Sequence, residues 1–596
     1  MAEESSHPPR PPAAAAANGG PNASDLPPAG PEARRVVAPY RETTPAALLL
    51  GIPIGIIMTA AITYAGLAIG VVVPASAIAA VLGWAALRGM LRRGTIVENN
   101  INQTVASAIN NTAGGVIFTF PALLLMDEVE YNLTAIILAA TAGGLLGTLL
   151  IVPLRRQMID LERLRFPGGI AVAEILRTPG AGLRSGVLLL AATVVAMLVS
   201  FLARAEVIPS RIDLGTPMGL PAYVPNEWAV SLMALGIGYL AGRPGLVVLL
   251  GGILANWIIA PTVVGIEWVQ PPDSADAAEQ AAALKDILRE QVHQPLGIGL
   301  LAGGALAGVA VAVPMIRAAF SGMRGGLGPR QELSPKWMVL ATGGSLVLLL
   351  AATLLADPGV SIERALLTAV VGTAWMWLAG IIVAQCAGLT GWSPISGLAL
   401  LAVAIVLLLS GGSIGLAVLI GAAVCVAIGQ GADMMTDLKA GHLVGARPVR
   451  QQVMQLAVSW MGPVISIATV LVLWHTVKFG PANEEIPAPQ AVALKEMIAT
   501  VLGGEVPLDK YLIGGGVGAL VTLALGGGFG VLVGLSMYLP MFFVLPFGLG
   551  CVLAMGVNRV WGQRRSQMWI IPIAAGFLVG DALEGVIAAI YAMLTM

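Results

Sequence analysis

The sequence predicts an all-α integral membrane protein: a polytopic bundle of about 16 transmembrane helices, with re-entrant or broken segments and two related halves. Three observations carry this reading. Hydrophobic residues make up 57% of the chain and charged residues only 11%, against roughly 25% charged in globular domains. Apolar runs of ~18 residues or more, each long enough to cross a bilayer, recur along the chain. Glycine is abundant, with 74 residues, as where transmembrane helices pack closely through small side chains.

Residues 1–42 are rich in Pro and Ala, with no apolar segment. This composition predicts a disordered cytoplasmic tail and not a signal peptide. A run at Ala46–Ile69, too long for a cleaved signal, is followed by another at Val71–Met90, and Arg88, Arg92 and Arg93 then mark a cytoplasmic end. The next run carries Glu98, Asn99, Asn100, Asn102, Gln103, Asn110 and Asn111. An unpaired amide facing lipid costs several kcal/mol, so these side chains are expected to face a cavity or a neighbouring helix. The acidic turn Asp127–Glu130 reads as external, Leu133–Pro153 spans back, and Arg155, Arg156, Arg163 and Arg165 place the following loop inside.

The stretch 166–179, FPGGIAVAEILRTP, is too short to span and holds one buried-looking acid, Glu174. It reads either as a re-entrant segment lining a cavity or as an amphipathic interfacial helix. Spans follow near 185–204, 226–242, 244–265 and 295–316, with an acidic external loop over 267–294. A basic connection at 317–336 divides an N-terminal half, 43–316, from a C-terminal half, 337–596. Spans near 337–356, 364–386, 394–410, 412–430 and 453–474 come next, then a second acidic loop, 478–510. Residues 512–557 hold either two spans or one span plus a re-entrant loop. Only the second keeps Arg559, Arg564 and Arg565 inside. The last run contains Asp581 and Glu584, three apart and so on one helical face.

The stretch 429–452, GQGADMMTDLKAGHLVGARPVRQQ, concentrates the chemistry. Asp433 and Asp437 are four apart and share a helical face, with Lys439 and His442 close behind. It reads as a solvated loop or as a helix end on a substrate or proton pathway. The carboxylates Glu174, Asp433, Asp437, Asp581 and Glu584 are the proton-coupling candidates, since a carboxylate held away from water exchanges protons nearer neutral pH. Structural pairing is the alternative for each. Tyr64, Glu98, Asn99, Asn100, Gln103, Asn110, Asn111, Gln430 and Lys439 are the substrate-binding candidates, offering amide, carboxylate, ammonium and ring contacts.

Net charge is −1, which gives no argument for nucleic-acid binding. Cys386, Cys425 and Cys551 are far apart in apolar runs, neither a disulfide framework nor a metal spacing. No Walker loop, HExxH, GxSxG or CxxC motif is present, so neither an enzyme nor a cofactor is expected.

Several stretches together resemble the oligopeptide transporter (OPT) family, on its bacterial branch related to the yellow-stripe-like metal–chelate transporters. They are YAGLAIG at 64–70, VENNINQTVASA at 97–108, GGVIFTFPALL at 114–124, FPGGIAVAEIL at 166–176, SPISGL at 393–398, GADMMTDLKAGHLVGARPVRQQ at 431–452, MYLPMFFVLPFGLG at 537–550 and GFLVGDALEGV at 576–586. The resemblance implies about 16 helices and proton-coupled uptake of short peptides or siderophore-type metal chelates without ATP. It directs attention to 98–111, 166–177 and 430–442. Ala68 stands where related bacterial chains tend to have Lys, and Ser393 where they have Asn before Pro; these departures bear on substrate identity.

The expectation is therefore a secondary active symporter in the bacterial inner membrane, N-terminus cytoplasmic, with peptide or metal chelate, protons and lipid as partners. Na⁺ coupling and a homodimer are left open. A membrane-embedded ion-pumping pyrophosphatase is the rival from an enzyme class. Its site needs many carboxylates around several Mg²⁺ ions, and the cytoplasmic loops here offer no second Asp cluster.

Overall fold

The computed structural model describes residues 41–595 apart from 71, 73–74, 93, 127–128, 178–181, 222, 270–276, 324–331, 391–392, 394, 484, 504–506 and 526–528. Residues 1–40 of the expected tail, Arg93, Asp127, Glu128, Arg324, Arg330, Glu484, Glu505 and the 526–528 break lie outside the described residues.

The first half of the chain forms α1 (Pro45–Ile69), α2 (Ser76–Trp84), α3 (Ile96–Leu124), α4 (Leu133–Ile151), α5 (Pro167–Leu176), α6 (Gly182–Arg204), α7 (Leu232–Ile253), α8 (Ala260–Gly265), α9 (Ala277–Leu288) and α10 (Gln294–Met323). The second forms α11 (Pro335–Ala356), α12 (Ile362–Thr390), α13 (Ile395–Leu409), α14 (Ile414–Val444), α15 (Pro448–Val458), α16 (Met461–Thr476), α17 (Pro489–Val501), α18 (Leu508–Leu525), α19 (Phe529–Met537), α20 (Met541–Val560), α21 (Gln563–Arg565) and α22 (Ile571–Thr595). Strands β1 (Arg211–Asp213) and β2 (Glu227–Ala229) pair antiparallel in a short hairpin between α6 and α7.

Among the described residues, 11 helices are long and apolar enough to cross a membrane, or up to 12 if the bent pair α15–α16 is one span. The shortfall from about 16 has identifiable causes. Val71–Met90, expected to span, is the nine-residue α2 followed by a π-helical turn, Ala85–Met90. α3 is 29 residues long, but its amides keep it from registering as apolar. The 34 residues Leu232–Gly265 are not one straight helix. Gly242 adopts φ 61°, ψ −144°, a conformation open to glycine alone. Gly238 packs on the Phe547 backbone while Gly252 packs on Val544 and Met541, so both arms lie along α20. The chain therefore doubles back at Gly242, as the separate runs 226–242 and 244–265 anticipate. The two acidic loops are not irregular throughout. The first carries α9, in an Ala-, Leu- and Gln-rich stretch of high helix propensity, and the second carries α17.

One end of the bundle gathers the arginine-rich connections. Thr44 meets Glu98, Glu42 meets Arg447, Asp160 meets His442, and Ser185 Oγ donates to Met568 O. Residues 42–44, 155–165, 442–450 and 559–568 are thereby placed together. Arg155 binds both Asp160 (3.1 Å) and Glu332 (2.7 Å) there. The opposite end holds the β-hairpin, α9 and the start of α18, tied by Trp257 Nε1 to Pro225 O (2.9 Å) and Lys510 Nζ to Gln291 O (2.7 Å).

The largest apolar core lies among α3, α4, α12, α13 and α14, and a second among α1, α7, α20 and α22. α14 approaches α4 closely enough that a Cβ on Gly143 or Gly147 would sit 2.2 Å from the carbonyl oxygens of Ala423 or Ala427. This is the small-residue contact that dispersion in a bilayer rewards.

Candidate functional site

The stretch expected to be either a loop or a helix end is, up to Val444, the second half of one continuous helix, and from Pro448 it enters the next. α14 runs unbroken to Val444 and stops at Gly445, whose φ of 79° makes a left-handed C-cap. Asp437 is 0% exposed. The solvated-loop reading fails at that residue.

α3 lies against α14 and is buried along almost its whole length. Its N-terminus is fixed by a capping box, in which Thr95 Oγ1 accepts from Glu98 N and Glu98 accepts from Thr95 N. Glu98 also accepts from Thr44, the N-cap of α1. Asn99 donates to Ala80 O (2.9 Å) and Asn102 to Ala79 O (3.3 Å), fastening α3 to α2. These three polar groups are engaged in holding helices together.

One to two turns further on, the polar side chains converge on Asp437. Ser76 Oγ of α2 donates to Asp437 Oδ1 (2.9 Å) and lies 2.8 Å from Ser107 Oγ of α3. Gln455 Nε2 of α15 donates to Oδ2 (3.2 Å), and Gln451 Nε2 donates to the Asp437 backbone carbonyl (3.0 Å) and to Thr104 Oγ1 (2.9 Å). Gln430, two turns back on α14, donates to Gln455 Oε1 (2.9 Å), and Asn111 donates to Ser107 Oγ (3.1 Å). Four helices thus enclose one carboxylate in neutral donors, and the described residues give it no ion pair.

The cluster is only partly satisfied from within. Asn100 Nδ2, Gln103 Oε1, both polar atoms of Asn110, Gln430 Oε1, Gln451 Oε1 and Ser459 Oγ are buried without a hydrogen-bond partner among the described residues. Buried polar groups ordinarily carry partners, so this density of free donors and acceptors marks a place that can take a polar guest. Asp433, one turn before Asp437, is partly buried and forms no hydrogen bond or ion pair among the described residues. Lys439 points elsewhere: its stem packs on Gly169 of α5.

α5 is the short helix expected after Phe166, packed on α2 and the end of α14. Glu174, expected to be buried, is exposed. Its i−1 and i+2 neighbours Ala173 and Leu176 take the buried face of the ten-residue helix, which turns position 174 outward.

The remaining candidates form a separate group among α1, α6, α7 and α22. Glu584 binds Arg204 through both Nε (3.0 Å) and Nη2 (2.8 Å), and accepts from Ser200 Oγ (2.9 Å). Asp581 accepts from Ser231 Oγ (2.9 Å) and Met233 N (3.0 Å), capping the start of α7. Tyr64 lies against Gly585, where a Cβ would meet its ring at 2.4 Å. Ser76, Thr104, Ser107, Gln451 and Gln455 were not singled out by the sequence. Gln451 and Gln455, four apart on α15, carried a legible signal; the serines and threonine did not.

Comparison with known proteins gives consistent results. The family model described as "OPT oligopeptide transporter protein" matches residues 42–592. A Haemophilus influenzae protein named "Putative oligopeptide transporter" is 29% identical over 594 residues, covering 88% of this chain and 92% of that protein. More local similarity, 26% over 224 residues, joins 35% of the chain to 33% of the Arabidopsis thaliana "Probable metal-nicotianamine transporter YSL6". A further 165-residue match at 26% identity covers 26% of this chain and 25% of the Arabidopsis thaliana "Metal-nicotianamine transporter YSL2".

Proposed function

The chain belongs to the OPT oligopeptide transporter family, and from that premise we propose that it is a secondary active symporter. It carries a short peptide or a peptide-like metal chelate inward across the bacterial inner membrane, coupled to protons, by alternating access. The arginine-rich end faces the cytoplasm in this reading, in keeping with the positive-inside rule.

The observation that carries the proposal is Asp437: a carboxylate wholly inside the bundle, bonded by Ser76 and Gln455, with no cation beside it among the described residues. An ionised group there is costly unless a positive charge joins it. A proton supplies that charge and takes it away again, which is the elementary act of coupling. The unpartnered amides of Asn100, Gln103, Asn110 and Gln430 are suited to a ligand rich in amide and carboxylate groups. Asp433 offers a second carboxylate one turn away, for a substrate ammonium group. The bend of 40° between α15 and α16 lies beside this cluster, and a broken span there lets Gln451 and Gln455 move relative to α14.

A second reading has a specific support. The hydroxyls of Ser76 and Ser107 with the Asp437 carboxylate form an oxygen-rich set that suits Na⁺ as well as a proton. Uptake into proteoliposomes separates the two. A pool of di- to tetrapeptides and a pool of ferric chelates are offered under an imposed pH gradient and, separately, under a Na⁺ gradient. Accumulation driven by the pH gradient and abolished by a protonophore supports proton symport. Accumulation under the Na⁺ gradient alone replaces the proton by Na⁺, and no accumulation under either overturns the transport reading.

A further inference from the structure

At the end of the bundle opposite the arginine-rich one, far in sequence from the Asp437 cluster, the break between α19 and α20 opens into a recess of about 60 Å³. Its walls come from the β-hairpin, the doubled-back arm after α7, α9 and the start of α20. At ~10–15 Å³ per water-sized site, that volume takes the head of a small molecule and not a whole tripeptide.

The recess is built for polar contact. His293 is buried, one ring nitrogen donating to Ala255 O, and its Nε2 has no partner among the described residues. With the proton committed to the other nitrogen, Nε2 is an acceptor. Tyr538 OH is likewise buried and unpartnered. Asn256, also in the lining, spends its Nδ2 on Gly252 O (3.0 Å), so its carbonyl oxygen is the atom it can offer as an acceptor. Lys285, Arg289 and Glu227 complete the polar wall. Glu227 is flanked by Arg211 at 3.7 Å and Lys285 at 4.0 Å, so positive charge is in excess. Arg289 spends one Nη on Pro481 O (3.2 Å) and retains its other donors.

We propose that this recess is a binding site for amino carboxylates: the carboxylate lies at Lys285 and Arg289, and the free amine of the same ligand is accepted by His293 Nε2 and the Asn256 carbonyl. The pairing of cationic donors with neutral acceptors on one small wall discriminates against a simple anion, which would leave the acceptors unmet, and against a simple amine, which would meet the cations. This deepens the transport reading and rests on it for one point only, that a ligand captured here is passed inward. In that role the recess is the receiving site on the outer face.

The test is calorimetric titration of the full chain in detergent with L-alanyl-L-alanine and with iminodiacetate, beside dialanine amide and N-acetyl-dialanine as controls. The expected result is saturable binding of at least one amino carboxylate, weakened tenfold or more by removal of either end group. Arg289→Gln and Lys285→Gln should each weaken the parent probe tenfold or more and erase the preference over the amide. His293→Phe should erase the preference over the N-acetyl form. Native affinity in all three recess variants, or no binding of either probe by the native chain, overturns the proposal. Uptake that persists with recess variants binding normally removes this site and leaves the transport reading intact. Binding at the recess without any uptake by the native chain retracts transport and leaves the site.

Discussion

Asp437→Asn separates chemistry from fold at the centre of the account. The carboxylate has two kinds of neighbour: Ser76 Oγ at 2.9 Å, a hydroxyl able to donate or accept, and Gln455 Nε2 at 3.2 Å, which can only donate. An asparagine fits if its Oδ1 faces Gln455 and its Nδ2 faces Ser76, whose hydroxyl then turns toward Ser107 2.8 Å away. Both bonds survive, now neutral, so the loss of stability is about 1 kcal/mol. Asp437→Leu keeps the branched shape, though with bulkier methyl groups, and leaves Ser76 and Gln455 facing carbon. Each buried donor without a partner costs about 1–3 kcal/mol, so this variant should be markedly destabilised. Thermal unfolding in detergent and substrate accumulation in proteoliposomes are measured together. Asn should unfold near the native temperature yet accumulate nothing above passive leak, whereas Leu should lose both. Native accumulation by Asp437→Asn would refute the coupling role, and a collapse of its stability would refute the hydrogen-bond geometry.

Three further outcomes follow from other parts of the molecule. Arg204→Leu leaves the Glu584 carboxylate, only 8% exposed at its side chain, without its cation; because Arg204 is 42% exposed, the destabilisation is discounted to about 1–2 kcal/mol, and transport per folded molecule should be unchanged. Gly143→Leu drives a side chain into the Ala423 carbonyl, 2.2 Å from the first added carbon; α4 and α14 must part, at a cost of at least about 1–3 kcal/mol, seen as loss of monodisperse protein on gel filtration. Asp213, outside the spans, is held below the usual carboxylate range by bonds from the Thr216 side chain and from Gly215 and Thr216 N–H. A depressed carboxylate stabilises above its unfolded value and ceases to as pH falls through the folded one, so protease resistance of the 211–216 turn should persist to pH values below the ordinary Asp range; Asp213→Asn should lose that resistance at neutral pH.

Much of the architecture was legible because lipid imposes simple rules. Apolar length located most spans, glycine and small residues marked where helices touch, and the arginine clusters identified a common end that Arg559 and Arg565 share. What length and apolarity misjudge is depth. α2 is too short to cross although it stands in a 20-residue apolar run, and α3 crosses the core although its amides lower its hydropathy. Within the site, the sequence singled out Asp437, Gln103, Asn111 and Gln430, which the structure joins in one network. It also grouped with them Glu98, Asn99, Asp581 and Glu584, whose caps and ion pair depend on partners up to 384 residues away and cannot be read from local pattern. Ser76 and Ser107 illustrate the reverse: a serine in an apolar run is unremarkable until the fold sets it against a carboxylate.

The central claim is that charge enters and leaves at Asp437 as substrate moves. The most direct measurement is substrate-evoked proton entry, read from a pH dye sealed inside proteoliposomes, with native protein and Asp437→Asn compared at equal incorporation. The lumen should acidify when transported peptide or chelate is added to the native protein, and should not with the variant. Equal acidification by both, or substrate entry through the native protein with neither proton nor Na⁺ movement, would contradict it.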